Sequence, residues 1–182
     1  MTRRPPVHLV PIRGDAPDSA VLRKLSRRLR KALGVRVALA EPLELPPGAA
    51  NDRGQLSSNA IVDALIARDA TNPEPDRRWV LAVTNRDLAA PDRDFVFGEA
   101  AFGGAWALIS SARLGPPDDA TDRPLDRLVK EAIHELGHLA SLEHCRRPRC
   151  VMHPSTSTLE IDRKESNFCE DCHARFRRRA NS

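Results

Sequence analysis

The sequence predicts an α+β fold in which helices cover a mixed, mostly parallel twisted sheet. Three observations favour this fold. Short segments with strand character alternate with amphipathic helical segments over the first two thirds of the chain. Residues 79–83 are apolar throughout, as expected of a strand buried on both faces. A last, long helix carries apolar residues along its whole length, so it packs on a core.

The first predicted unit is a strand, a helix and a second strand. Residues 7–12 form the first strand, Asp18 caps the helix and Gly34 ends it. The helix is amphipathic because its apolar residues recur every three or four positions. Residues 35–39 alternate in polarity and form the second strand. The apolar residues of the helix are Val21, Leu22, Leu25, Leu29 and Leu33.

The middle and the end of the chain add two helices and three strands. One helix has its apolar side at residues 61–66, and strands are predicted at 79–83, 95–98 and 106–109, with 95–98 short and at an edge. The last helix starts near Asp122, with a proline in its first turn, where a missing N–H costs nothing.

The length and composition of the chain favour one domain. A chain of 182 residues with 41% apolar content can bury one core. After position 144 the helical periodicity disappears, and all four cysteines lie in that part of the chain. We therefore expect a single catalytic domain spanning 1–182, with an N-terminal α/β subdomain (1–143) and a small C-terminal subdomain (144–182).

The near balance of charges predicts a folded, soluble protein, and the lack of a membrane-spanning or signal-like segment favours a cytoplasmic one. There are 29 basic and 25 acidic side chains, and no segment approaches the ~20 apolar residues that span a membrane. The basic face of the first helix is either a solvated face or a nucleic-acid patch, and few aromatic rings lie among the basic residues, so nucleic acid is not the expected partner. That face carries Arg23, Lys24, Arg27, Arg28, Arg30 and Lys31.

The last helix contains the sequence His134-Glu135-Leu136-Gly137-His138. Residues four apart lie on one side of a helix, so both imidazoles can point at one metal ion. Glu135 reaches the same cleft and can take a proton from a metal-bound water. The motif alone also fits a helix with two incidental histidines. His144 strengthens the metal interpretation, provided that the helix breaks after His138 and the chain folds back.

The four cysteines are arranged as two close pairs. Cys145 and Cys150 are five residues apart, and Cys169 and Cys172 form a C-x-x-C pair. Two such pairs separated by a loop predict a zinc ion held by four thiolates. Two disulfides or four free thiols are the alternatives, and His153 or His173 could replace a cysteine.

These motifs resemble those of a known family. The pattern from His134 to His144 resembles the metzincin metallopeptidases, except that Ser141 stands where the family has glycine. A histidine followed at once by cysteine, then x4-Cys-x-Met and a distant C-x-x-C, is similar to the archaemetzincins in particular.

The resemblance implies a zincin-like fold with a small zinc-stapled C-terminal lobe, and a peptidase with two zinc ions. The catalytic zinc would be held by His134, His138 and His144, and Glu135 would be the general base. The structural zinc would be held by Cys145, Cys150, Cys169 and Cys172. Met152 would be the methionine of the turn beneath the catalytic metal.

The resemblance also implies a substrate site. A peptide or protein substrate would lie extended along an edge strand above the metal, and Phe95, Val96, Phe97, Gly98 and Glu99 are the candidates for that strand. The tyrosine that assists some metzincins is missing, because the chain contains no tyrosine.

Two alternative functions remain open at this point. One is a non-catalytic zinc protein in which the four-cysteine site and an arginine-rich tail bind protein or nucleic acid. The other is a degenerate metallopeptidase that binds zinc without activity. The sequence does not indicate the cleavage specificity or the oligomeric state.

Overall fold

A five-stranded sheet forms the centre of the fold, which is described here from a computed structural model covering residues 5–71, 78–115 and 122–180. The strands are β1 (Val7–Pro11), β2 (Val37–Leu39), β3 (Leu56–Ser57), β4 (Trp79–Thr84), β5 (Leu88–Ala90), β6 (Arg93–Val96), β7 (Gly98–Ala100) and β8 (Trp106–Ser110). The helices are α1 (Ser19–Leu33), α2 (Ser58–Ala70), α3 (Arg123–Leu139), α4 (Thr158–Arg163) and α5 (Glu170–Ala180).

The large sheet is mixed and mostly parallel, which confirms the predicted fold class. Its strand order is β2-β1-β4-β8-β7. The first four strands in this order run parallel to their neighbours, and β7 alone runs antiparallel, against β8. β7 is therefore an edge strand whose outer side is not paired within this sheet.

Strand β4 lies at the middle of the sheet, and every one of its six residues is buried. Its odd-numbered residues, such as Leu81, pack with α1 and α3, whereas its even-numbered residues, such as Val80, pack with α2. This alternation follows from the period of two in a strand. It explains why residues 79–83 are apolar without interruption.

Helix α1 begins and ends as the sequence predicts. The Asp18 side chain accepts hydrogen bonds from the backbone N–H groups of Ala20 and Val21, and Gly34 ends the helix in the left-handed conformation with φ of 64°. The apolar face buries Leu22, Leu25, Leu29 and Leu33. Propensity, capping and burial agree here, which is why the sequence was sufficient.

Two predicted strands are wrong in detail, and one sheet was not predicted. Residues 95–98 do not form one strand, because the chain leaves β6 at Val96 and enters β7 at Gly98. β6 belongs to a separate sheet of order β3-β5-β6, which the sequence did not predict. The second strand begins at Val37, not at Val35, whose side chain packs in the core near the end of α1.

The C-terminal part contains two helices that the lack of periodicity did not predict. Helix α4 starts with a capping box formed by Ser157 and Glu160. Helix α5 buries Phe176, whose ring stacks on Phe168 at 4.8 Å and lies 5.7 Å from that of Trp79. A few large side chains thus anchor this lobe to the main core.

Two ion pairs fasten the C-terminal lobe to α3. Arg127 donates two hydrogen bonds to the Asp162 carboxylate, at 2.8 and 2.6 Å. The Lys164 ammonium is fully buried and donates to Glu131 Oε1 at 3.0 Å and to the carbonyl oxygen of His153 at 3.1 Å.

Within the described ranges, no helix has both the length and the apolar character needed to cross a membrane.

The buried pair gives a stability prediction. Lys164→Ala leaves the Glu131 carboxylate buried without its cation, which costs about 3–5 kcal/mol of unfolding free energy. Arg149→Ala is the control, because the Arg149–Glu165 pair is exposed on the surface and such pairs contribute about 1 kcal/mol or less. Urea unfolding of both variants measures the difference, and equal small losses would contradict the role of the buried pair.

Candidate metal centres and catalytic cleft

Helix α3 places His134 and His138 side by side. Both face the cleft, and their Nε2 atoms lie 3.1 Å apart. A zinc ion bonded to two imidazoles at about 2.0–2.1 Å separates the two nitrogens by about 3.3 Å in a tetrahedral arrangement. The observed separation is close to this value.

The other nitrogen of each ring is engaged by the backbone. His134 Nδ1 lies 2.8 Å from the carbonyl oxygen of Val151, and His138 Nδ1 lies 2.7 Å from that of Leu142. A carbonyl only accepts, so in each neutral ring the proton is on Nδ1 and Nε2 carries a lone pair. Two lone pairs thus face each other at 3.1 Å, an arrangement that a cation between them stabilises.

A tight turn after α3 brings the third histidine back to the first two. The N–H of Leu142 donates to the carbonyl of Gly137 (3.0 Å) and that of Ser141 to the carbonyl of His138 (2.9 Å), which is the Schellman pattern. The His144 ring then lies 5.2 Å from that of His134 and 5.0 Å from that of His138, measured between centroids. The three rings offer nitrogens that all lie within 4.8 Å of one another.

Ser141 occupies the position at which this turn needs a left-handed residue. Its φ is 58°, and in the described parts of the chain it is the one non-glycine residue with positive φ. Such a conformation costs a non-glycine residue about 1–2 kcal/mol. Ser141 therefore adopts, at this cost, a conformation that glycine would adopt without strain.

The histidines are held in their neutral forms. Burial lowers the pKa of His134 well below its usual value, and the positive charge of Lys164 lowers it further. Burial also lowers the pKa of His138 and of His144. Metal ions bind the neutral imidazole, so the surroundings of these rings favour the ligand form.

Glu135 is buried beside the histidines and under the edge strand β7. A Cβ atom at Gly98 would lie 2.8 Å from Glu135 Oε1 and 2.9 Å from its Cγ. The carboxylate therefore occupies the space that the missing side chain of Gly98 leaves free. Burial raises the pKa of Glu135 well above its usual value, the Glu131 and Glu99 carboxylates raise it further, and Lys164 lowers it.

A cleft of about 980 Å³ opens over this group. Its walls contain the three histidines and Glu135, and also all five residues of the predicted substrate segment, Phe95 to Glu99. Those five residues thus lie at the cleft although they do not form one strand: Phe95 and Val96 belong to β6, Gly98 and Glu99 to β7, and Phe97 lies between them. His153 is not among the cleft residues that the structure describes, and its Nδ1 lies 2.9 Å from the carbonyl oxygen of Cys145.

The four cysteines form a second cluster next to the first. Their sulfur atoms all lie within 4.8 Å of one another, and Cys145 Sγ is 3.9 Å from Cys169 Sγ. Zinc–sulfur bonds of about 2.3 Å separate the sulfurs of a tetrahedral site by about 3.8 Å, so the cluster fits zinc. None of the four is in a disulfide.

The protonation of the thiols also bears on a metal. Burial raises the pKa of Cys150 and of Cys172, so without a cation these sulfurs keep their protons. A metal ion displaces those protons on binding. His173 is exposed on α5 and does not belong to the cluster.

Met152 packs on α3 at Gly137, which lies between His134 and His138 in the sequence. It is fully buried, and a Cβ atom at Gly137 would overlap its sulfur atom. The packing of Met152 therefore explains why the residue at position 137, within the His134–His138 motif, is glycine. The sequence did not reveal this role or that of Gly98, because both depend on a residue distant in the chain.

Comparison with known proteins gives the same class. The family model described as peptidase family M54 matches residues 19–178. The chain is 40% identical over 155 residues to the archaemetzincin of Methanopyrus kandleri, covering 85% of each chain. The crystal structure of that archaemetzincin aligns with a TM-score of 0.84 at 37% identity, covering 97% of this chain and 95% of that one.

A second solved structure extends the similarity. It is described as a zinc-dependent peptidase from Methanocorpusculum labreanum, and it aligns with a TM-score of 0.81 at 28% identity, covering 93% of this chain and 99% of that one.

The fold and these similarities define the protein as a zinc-dependent metallopeptidase, a hydrolase that acts on peptides or proteins. The chain belongs to peptidase family M54, the archaemetzincins.

The geometry of Ser141 gives a second stability prediction. Ser141→Gly relieves the left-handed strain but makes the unfolded chain more flexible, so the net effect is a gain of about 0.5–1 kcal/mol in unfolding free energy. Ser166→Gly is the control, because its φ is not in the left-handed region. It should lose about 0.4–1 kcal/mol. Chemical denaturation compares the two, and a loss at both positions would contradict the strain at Ser141.

Proposed function

We propose that His134, His138 and His144 hold the catalytic zinc ion and that Glu135 is the general base for hydrolysis of a peptide bond. The observation that supports this most directly is the pair of Nε2 lone pairs at 3.1 Å, which need a cation between them. Three neutral nitrogens with no carboxylate in the set suit a catalytic zinc that keeps an open position.

Zinc held by these histidines would supply a water of lowered pKa and would polarise a substrate carbonyl. The residues of the chain provide the rest of the chemistry. Glu135 takes a proton from the attacking water and then delivers it to the nitrogen of the leaving amine. Burial raises the pKa of the Glu135 carboxyl, which favours its holding the proton between the two steps.

The position of Glu135 is fixed by its neighbours. The carboxylate lies between α3 and the backbone of Gly98, so its rotation is restricted. Because β7 is an edge strand, a strand added at its outer side would pair beside Gly98, the residue that Glu135 contacts. The general base and the substrate backbone thus meet at Gly98.

The outer side of β7 can bind an extended substrate. The N–H of Ser110 donates to the carbonyl of Phe97, and the N–H of Ala101 donates to that of Trp106, so odd-numbered residues bond to β8. Alternation in an antiparallel pair then turns the backbone groups of Gly98 and Ala100 away from β8. A substrate strand that pairs with these groups passes over the histidines.

We further propose that Cys145, Cys150, Cys169 and Cys172 hold a second, structural zinc. Cys145 follows His144 directly, so one peptide bond connects the two metal sites. The N–H of Cys145 donates to the carbonyl of Met152 at 2.9 Å, and Met152 in turn packs against Gly137 of α3. This hydrogen bond connects the cysteine segment to the helix that carries His134 and His138. On this proposal, residues 1–143 and 144–182 are two subdomains of one catalytic domain.

The role of Glu135 is tested by Glu135→Gln in zinc-loaded protein. Loss of the base should lower kcat for a peptide substrate by about 10²–10⁴-fold, with the zinc content unchanged. Glu44→Gln, an exposed glutamate paired with Arg13, should cleave like the wild type. Cleavage that survives Glu135→Gln would disprove the assigned role. A wild type that binds zinc but cleaves no peptide of a broad library would favour the inactive zinc-binding alternative.

The two metal sites are tested by metal analysis. The wild type should contain two zinc ions per chain, and the double variant His134→Ala/His138→Ala should contain one. Cys169→Ser should lose the structural zinc and also weaken binding at the histidines, because the segment with His144 and Met152 loses its support. A Cys169→Ser protein that keeps full catalytic zinc and full activity would contradict this coupling.

A further inference from the structure

Phe102 is an exposed aromatic side chain at the wall of the cleft. Its exposed fraction is 58%, and in the part of the chain that the structure describes it is the one large, exposed apolar side chain that also lines the cleft. The other large apolar residues with comparable exposure are Leu39, Ile66 and Leu159, which lie elsewhere. The ring of Phe102 lies 6.1 Å from that of His138, between centroids.

The turn that carries Phe102 is fixed to the end of α3. The N–H of Gly103 donates to the carbonyl of His138 at 2.9 Å, and the N–H of Gly104 donates to that of Ala101 at 2.8 Å. Gly103 has a φ of 69° and packs so closely on Ser141 that a Cβ atom would lie 2.9 Å from Ser141 Oγ. The backbone that carries the aromatic ring is therefore fixed before any substrate binds, and a preformed turn loses little entropy on binding.

We propose that Phe102 forms an apolar subsite that selects a large aliphatic or aromatic side chain on the N-terminal side of the scissile bond. This inference rests on the proposed peptidase function and names the substrate feature that the cleft recognises. The occupant is a side chain of the substrate, because Phe102 borders the same cleft as His138 and Glu135.

The direction of the substrate decides which side of the scissile bond Phe102 contacts. Glu135 lies against Gly98, so the bond to be cleaved lies near that end of β7. Antiparallel pairing is the more stable arrangement for an added strand. In that arrangement the substrate residues that lie toward Ala100 and Phe102 are those that precede the cleaved bond.

The experiment compares wild type with Phe102→Ala and Phe102→Leu on a peptide library that varies the three residues before and the three residues after the cleaved bond. For wild type, kcat/KM should be about 10-fold higher with phenylalanine or leucine than with alanine at one position before the bond, equivalent to about 1.4 kcal/mol. Phe102→Ala should reduce this preference to about 2-fold, and Phe102→Leu should keep the preference for aliphatic residues.

The control is Leu159→Ala, an exposed apolar residue outside the cleft, which should keep the wild-type preference. A preference that is unchanged in Phe102→Ala overturns the subsite. A preference that Phe102→Ala loses only at positions after the bond overturns the proposed direction of the substrate.

Binding separates this inference from the proposed function. Dissociation constants of the same peptides are measured with Glu135→Gln, alone and combined with Phe102→Ala. If binding depends on Phe102 but no peptide is cleaved by wild type, the subsite stands and the peptidase proposal fails. If peptides are cleaved but neither binding nor cleavage depends on Phe102, the subsite fails and the peptidase proposal stands.

Discussion

The three histidine rings can meet only if the chain reverses immediately after His138. His144 is six residues further along, and on a continuous helix it would point away from His134. The reversal uses a left-handed residue at Ser141 and two hydrogen bonds back to the last turn of α3. The carbonyl of His138 accepts from Ser141 and also from Gly103, so the same end of the helix fixes the turn that carries Phe102. One strained residue thus affects both the positions of the three histidines and one wall of the cleft.

Helix α3 carries an unusual amount of buried charge. Glu131 and Glu135 are both buried one turn apart, and burial raises the pKa of each carboxyl. The Lys164 ammonium bonds to Glu131, which lowers the pKa of that carboxyl against the effect of burial. Its positive charge also reaches Glu135 and His134, favouring the ionised carboxylate and the neutral imidazole. The lobe that brings the cysteines together therefore also supplies the counter-charge of the catalytic helix.

The sequence could predict those features that depend on local spacing. The capping residues Asp18 and Gly34, the continuous apolar strand at 79–83 and the side-by-side placement of two histidines on α3 each follow from periods of two or 3.6 residues and from turn chemistry. The backbone conformation of Ser141 could not be predicted, because serine has no preference for the left-handed region and tertiary contacts impose this conformation. The roles of Gly98 and Gly137 required the positions of Glu135 and Met152, which only the folded chain brings close.

The C-terminal lobe shows where a sequence pattern misleads. Its lack of periodicity reflects a segment whose order comes from a few contacts rather than from a continuous apolar face. Phe176 packs on Trp79 and Phe168, and Lys164 is buried against α3. These contacts hold the lobe against the rest of the fold, while the four sulfurs lie within 4.8 Å of one another and burial raises the thiol pKa of Cys150 and Cys172. A cation at the cysteines would connect these four residues, and through the peptide bond between Cys145 and His144 it would also restrict the third histidine. The packing of the lobe therefore affects the geometry of the cleft, because His144 and Cys145 are adjacent in the chain.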